Sequence, residues 1–209
     1  MITPTGARAT AAARRQCAGP LPWRPVRAPR FVLAALFAAP AACVIDELDD
    51  YDVGDAPLCE AASPWPSEYG DLEDDLLARI QTVRRQGRTC GDVRLNPAAA
   101  PTVAPELRCA ARVHATFIAE NGGVGHDGYD DTTPLSRAAL AGYRGSLRYE
   151  LVARDFVGPG ATLGAWLEDE GHCSALLSRA VVDIGIGHSR TGEGDATGWV
   201  VLLGEPRDD

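Results

Sequence analysis

The residues of this 209-residue chain best suited to chemistry are its four histidines and six cysteines. His126 and His172 each follow a glycine, in Gly125-His126 and Gly171-His172, and each falls in a loop or at a helix end. Loop residues on a rigid scaffold carry function more often than core residues do. A neutral imidazole ligates Zn²⁺ well and titrates near neutral pH. These two are far apart in sequence, so only the fold can bring them together. His114 lies on the apolar stripe of a helical segment and reads as a core histidine with a hydrogen-bond partner. His188 ends a strand-like segment and reads as half exposed. The chain contains no HExxH and no GxSxG, so two common hydrolytic signatures are missing.

Cys17 and Cys43 lie near the N-terminus, leaving Cys59, Cys90, Cys109 and Cys173 in the body of the chain. An even number in an exported domain points to two disulfides. A metal cluster is the rival reading, but no CxxC pair occurs. Four cysteines allow three pairings. The pairing expected here is Cys90–Cys109 with Cys59–Cys173, since the first would tie the loop after one helix to the start of the next. Each bond would stabilise the fold by roughly 3 kcal/mol, mainly through the unfolded chain.

Several elements must position these groups. Leu72, Leu76, Leu77, Ile80 and Val83 recur at helical spacing over 68–85, with Gly87 as a stop. A second helix is predicted over 104–121, where Leu107, Ala111, His114 and Ile118 share a stripe and Gly122-Gly123 end it. A short helix spans 132–141, capped by Thr132 or Thr133 and opened by Pro134. Another runs over 162–170, with Leu163, Trp166 and Leu167 apolar. Strands are predicted at 146–154, 181–188 and 199–203. Gly185 and Gly187 share one face of the second of these, which lets another element pack very close to the sheet. The last two strands form a hairpin about the turn-rich 191–197. The expected class is α+β, an α-β-α sandwich with a small antiparallel sheet between helices.

Charge is distributed unevenly. Residues 1–42 hold six arginines and no acidic residue, whereas the rest carries 14 arginines against all 29 acids, a net of −15. There is no lysine. A body this acidic repels phosphate backbones, so nucleic acid is not an expected partner. Residues 31–42 (FVLAALFAAPAA) form an apolar run too short to span a bilayer, and Ala41-Ala42-Cys43 follows as small residues before a cysteine. Basic head, short apolar run and small-residue cleavage site make a signal peptide over 1–42. The ending resembles a bacterial lipobox with Cys43 as the lipidated residue, although Pro40 stands where leucine is usual; ordinary cleavage nearby is the alternative. Translation starting at Val26 would shorten the basic region. An acidic tether is expected over 43–65, followed by the folded domain over 66–209.

From Leu107 to Gly204 the order of signals resembles the CAP superfamily of cysteine-rich secretory, antigen 5 and pathogenesis-related proteins, in its bacterial SCP-like form. A helix of the type L-x-x-A-A-x-x-H-A (Leu107 to Ala115) is followed by His126, then Ala141-Gly142-Tyr143. Glu150 stands where the family has G-E-N. Trp166 and Gly171-His172 match W-x-x-S-x-G-H, and Ile184-Gly185-Ile186-Gly187 matches I-G-V-G. The resemblance implies a cleft lined by His126, Glu150, His172 and Asp169. Tyr149 and Leu151 depart from the Gly and Asn beside the glutamate, and Val201 and Leu203 replace polar and aromatic residues of the last strand. The departures imply a more apolar, or partly decayed, cleft.

Three functions fit these residues. One is a non-catalytic binding module of the cell envelope, whose cleft holds a divalent metal, Zn²⁺ in the first instance, or a small apolar or lipid ligand. In the metal version His126 and His172 share one ion, completed by Glu150, Asp169 or water. The others are a metal-assisted hydrolase and a purely structural envelope domain. The binding module is preferred, and membrane contact is expected only through a lipid anchor. Intact-mass analysis of protein recovered from its native host checks the N-terminal reading. A chain beginning at Cys43 with added acyl mass is expected; a soluble product cut elsewhere would remove the anchor and leave export standing.

Overall fold

The computed structural model describes residues 52–191 and 196–206. The expected signal peptide, Cys17, Cys43 and most of the acidic run fall outside the described residues, as does the tip of the last hairpin. A 3-10 turn, Pro57–Ala62, leads into α1 (Ser67–Gln86). The short hairpin β1 (Arg88–Cys90) and β2 (Val93–Leu95) follows, then β3 (Thr102–Val103) and α2 (Pro105–Asn121). A second 3-10 turn, Tyr129–Asp131, precedes α3 (Pro134–Leu140) and β4 (Ser146–Arg154). The chain ends with α4 (Pro159–Glu168), α5 (Glu170–Leu176), β5 (Asp183–Arg190) and β6 (Thr197–Glu205).

The main sheet has the order β3-β5-β6-β4. Its three long strands are antiparallel, while two-residue β3 joins the edge of β5 in parallel, a pairing the sequence analysis did not anticipate. Alternation along β6 explains the sandwich. Trp199, Val201 and Leu203 face one layer with Leu76 and Ile80 of α1, Trp166 of α4 and Leu176 of α5. Val200 and Leu202 face the other, with Leu107, Ala111 and Ile118 of α2 and Ala138 of α3. A strand covered on both faces reads as a continuous apolar run, and that is what residues 199–203 are.

Helix α2 sits unusually close to the sheet. A Cβ added at Gly185 would collide with the backbone of Leu107 and Arg108, and one at Gly187 with that of Ala111 and Arg112. Gly198 of β6 meets the Ala115 carbonyl in the same way. At the far edge of β5, beyond the reach of β3, Glu73 of α1 accepts the His188 backbone N–H (3.0 Å) and the Trp65 indole N–H (3.0 Å). The same carboxylate pairs with Arg112 of α2 at 2.7 Å, both side chains being almost fully buried. One carboxylate thereby links both helical layers to the strand edge. Burial pushes its carboxyl above the usual range, and the Arg112 charge opposes that shift.

Four expectations need correction. Residues 52–65 are not a solvated tether: Val53, Cys59, Ala62 and Trp65 are buried, and the 3-10 turn packs against α2. The disulfides are Cys59–Cys109 and Cys90–Cys173 rather than the pairing expected. Cys109 turns toward the 3-10 turn that covers α2, and Cys90 toward α5, because residues 96–104 carry the chain from the small hairpin to the sheet edge before α2 begins. The enclosed loops, 50 and 83 residues long, are worth about 4 kcal/mol each in the chain-entropy account. His188 is buried, stacked on Trp199 with ring centroids 3.9 Å apart, and its pKa is lowered to about 4, mainly by burial. The helix expected over 162–170 is two helices, broken at Asp169, whose side chain caps the second by accepting the His172 N–H at 2.8 Å.

The close approach of α2 is testable. Gly187→Val should lower stability by about 3 kcal/mol or more, since α2 must lift off the sheet to admit the side chain. Urea unfolding would show a lower midpoint with an unchanged slope. A variant as stable as the parent would contradict the contact.

Candidate functional site

Glu150 sits midway along β4 with its side chain only 2% exposed. A buried carboxylate must be paired and hydrogen-bonded to remain charged, and this one is. Arg137 of α3, itself buried, donates to Oε2 at 2.7 Å, and its other terminal nitrogen donates to the Thr132 carbonyl at 2.6 Å. His126 approaches Oε1 through Nδ1 at 2.8 Å. Desolvation raises the Glu150 carboxyl above its usual range, against the opposing pull of the Arg137 charge and the His126 contact.

Each partner is placed by local sequence. The Thr133–Ser136 capping box starts α3, with the Ser136 N–H donating to Thr133 Oγ1 and the Thr133 N–H donating to Ser136 Oγ. Arg137 then lies one turn from Pro134 and Ala141, on the face turned to the core. Gly122 ends α2 in the left-handed conformation. The loop that follows returns His126 over β4 with its side chain 56% exposed. Nδ1–H is the donor to the carboxylate, which can only accept in its charged form, and Nε2 is the ring nitrogen turned away from it.

His114 completes the cluster from below. Its Nε2 lies 2.9 Å from the Gly125 carbonyl, which can only accept, so that nitrogen carries the hydrogen. The bare Nδ1 is buried and has no hydrogen-bond partner among the described residues, as is also true of Arg137 Nε. Burial, reinforced by the Arg137 charge, lowers the His114 pKa to about 4, so the ring is neutral at pH 7. The core position expected of His114 is therefore correct. The sequence marked Glu150 and His126 but missed Arg137; the only available signal was an arginine on the apolar stripe of a short helix.

His172 and Asp169 form a pair of their own. His172 Nδ1 lies 3.2 Å from Asp169 Oδ1. Asp169 is held below the usual carboxylate range, chiefly by the His172 backbone N–H it accepts. The four residues implied by the resemblance thus resolve into two pairs, His126–Glu150 and Asp169–His172. Among the described residues no group of three or more His, Cys, Asp and Glu side chains is arranged to hold one ion. The donor chemistry agrees: one oxygen of Glu150 is taken by Arg137 and the other by His126, and Oδ1 of Asp169 is taken by the cap of α5. As they stand, these residues do not fit a four-coordinate zinc site.

Beside Glu150 lies an open recess of about 270 Å³ lined by His126, Pro134, Leu135, Leu147, Tyr149 and other residues of α3 and β4. Leu135 is 64% exposed and Tyr149 42% exposed, so its walls offer apolar surface to solvent. Tyr149 also lines a second recess, against β2 and α5.

The model of the cysteine-rich secretory protein family, CAP, matches residues 79–203, more than half of the chain. No curated protein sequence matches. An outer surface protein of Borrelia burgdorferi has a similar structure, with a TM-score of 0.54 and 22% identity over 66% of this chain and 94% of its own. An extracellular protein containing an SCP domain, from Bacillus anthracis str. Ames, gives 0.52 and 18% over 68% of this chain; the match spans 44% of that protein. At these identities the likeness is one of fold.

The pairing of Arg137 with Glu150 predicts a non-additive mutant cycle. Arg137→Met leaves a buried carboxylate without its counter-charge and should cost about 3–5 kcal/mol. Adding Glu150→Met removes the stranded charge and should restore a large part of that loss. Thermal or urea unfolding of the three variants measures both; simple additivity would contradict the buried pair.

Proposed function

We propose, on the premise that this chain belongs to the CAP family of cysteine-rich secretory proteins, that it is an exported, non-catalytic binding module whose His126–Glu150 recess receives a small apolar ligand. The observation that carries this reading is the state of Glu150. Its two oxygens are committed to Arg137 and His126, so Glu150 is not held as a free base or as an open metal ligand. What remains open is apolar surface from Leu135, Leu147 and Tyr149, with the His126 ring at the rim. Small-ligand sites commonly combine such apolar walls with a few fixed polar groups.

Export is supported by the basic head and short apolar run of the sequence and by two disulfides, which persist in oxidising compartments. The similar folds named as an outer surface protein and an extracellular protein are consistent with it. Anchoring through a lipidated Cys43 would hold the domain at the cell envelope. A single acyl chain binds membranes only weakly, so firm anchoring needs a multiply acylated cysteine.

A metal is the second reading, favoured by one observation. A histidine held by a carboxylate through Nδ1, with Nε2 free, is the arrangement that orients metal ligands in other proteins. Titrating the isotopically labelled domain with cyclohexanol and, separately, with Zn²⁺ distinguishes the two. Cyclohexanol should shift the amides of Leu135, Leu147 and Tyr149 saturably, and Leu135→Asp should abolish the effect. Stoichiometric Zn²⁺ binding lost in His126→Ala, with no response to cyclohexanol, would replace the apolar reading by the metal one.

A further inference from the structure

The second recess, on the other side of Tyr149, has a different chemistry. It encloses about 420 Å³ between β2 and α5, and its walls include Arg94, Asn96, Tyr149, Ser174, Ser178 and Arg179. In a body carrying a net charge of −15 over residues 43–209, no acidic residue lines it. Neither arginine forms an ion pair with a described side chain; one arm of Arg94 donates to the Gln86 carbonyl at 3.3 Å. Besides Tyr149, the polar side chains that remain are an amide and two hydroxyls, each able to donate a hydrogen bond as well as accept one, and Leu95 and Leu177 also line the recess.

Three features hold these walls in place. The Cys90–Cys173 disulfide joins the β1–β2 hairpin, which carries Arg94, to α5, which carries Ser174. Behind it Cys90, Cys173 and Leu177 form a small core with Leu95 and Val83. From α1, buried Arg84 donates to the carbonyls of Leu176 (2.6 Å), Ser178 (3.1 Å) and Val181 (3.0 Å). Carbonyls at a helix C-terminus ordinarily repel anions. Here a guanidinium covers the Leu176 carbonyl, the last of α5, so the end of the helix presents less negative charge to the recess.

We propose that this recess is a binding site for the anionic end of a small ligand, a carboxylate or a phosphate monoester joined to an apolar or aromatic body that packs on Tyr149. Arg94 and Arg179 supply the charge, and a planar guanidinium suits both anions. Asn96, Ser174 and Ser178 supply neutral donors. The site is independent of what the His126 recess holds, although Tyr149 borders both.

The probes are benzoate, phenyl phosphate and benzyl alcohol, each titrated into the disulfide-intact domain and read from backbone amide shifts. Both anions should give saturable shifts at Asn96, Ser174 and Ser178, and the tighter of the two identifies the anion preferred. Benzyl alcohol should leave these amides unmoved. Arg94→Gln with Arg179→Gln, both exposed positions, should keep the melting temperature and weaken the anions by about tenfold or more. Added salt should weaken them as well. Equal binding of benzyl alcohol would overturn the proposal. So would affinity unchanged in the double variant, or non-saturating shifts spread over other exposed arginines such as Arg85 and Arg144, which would mark an adventitious ion only.

Discussion

Helix α2 rests its backbone as well as its side chains on the sheet. Three glycines, Gly185, Gly187 and Gly198, make that contact possible, and much else follows from it. The helix carries Cys109 toward the N-terminal 3-10 turn, Arg112 toward Glu73 at the strand edge, and His114 beneath the loop that bears His126. Side chains of ordinary size at those glycines would raise the helix and displace all three. The contact adds close van der Waals packing to side-chain burial, and such packing tolerates little change in volume.

Given that placement, Glu150 organises the surface above it. Its burial would be unfavourable alone, so its position is set by the groups that neutralise it: Arg137 from one helix and His126 from a loop. The arrangement fixes the imidazole and rigidifies the recess, while using up the carboxylate. A cluster of His and Glu side chains in a cleft invites a catalytic or metal reading; the arginine that no motif predicted pairs with the acid at the centre of that cluster. Asp169 offers a partial parallel, since one of its oxygens, Oδ1, caps α5.

The sequence revealed those features that depend on local pattern. The first three helices, the strand over 146–154 and the requirement for close packing at Gly185 and Gly187 all follow from periodicity and glycine placement, and each is present. The family order of signals led to Glu150 and His126. What the sequence hid depends on three-dimensional neighbours. The disulfide pairing turns on the path of residues 96–104 across the edge of the sheet. The packed state of residues 52–65 is masked by an acidic composition, though Trp65 and Cys59 anchor it. His188 looked half exposed because a strand end usually is, yet Trp199 and Tyr69 enclose it. Arg137 carries no motif at all; its role exists only because β4 places an acid opposite.

Tyr149 gives the surface its particular character. It is an exposed ring that borders two recesses, one beside His126 and one between Arg94 and Arg179. A binding role for this face rests on Glu150 being committed to its protein partners. The most direct measurement is a crystal structure of the domain grown with Zn²⁺ and cyclohexanol both present. The account predicts the alcohol against Leu135 and Tyr149, with Glu150 still held by Arg137 and His126. An ion bound jointly by His126 and His172, with Glu150 or Asp169 drawn away from its present partners to ligate it, would contradict it.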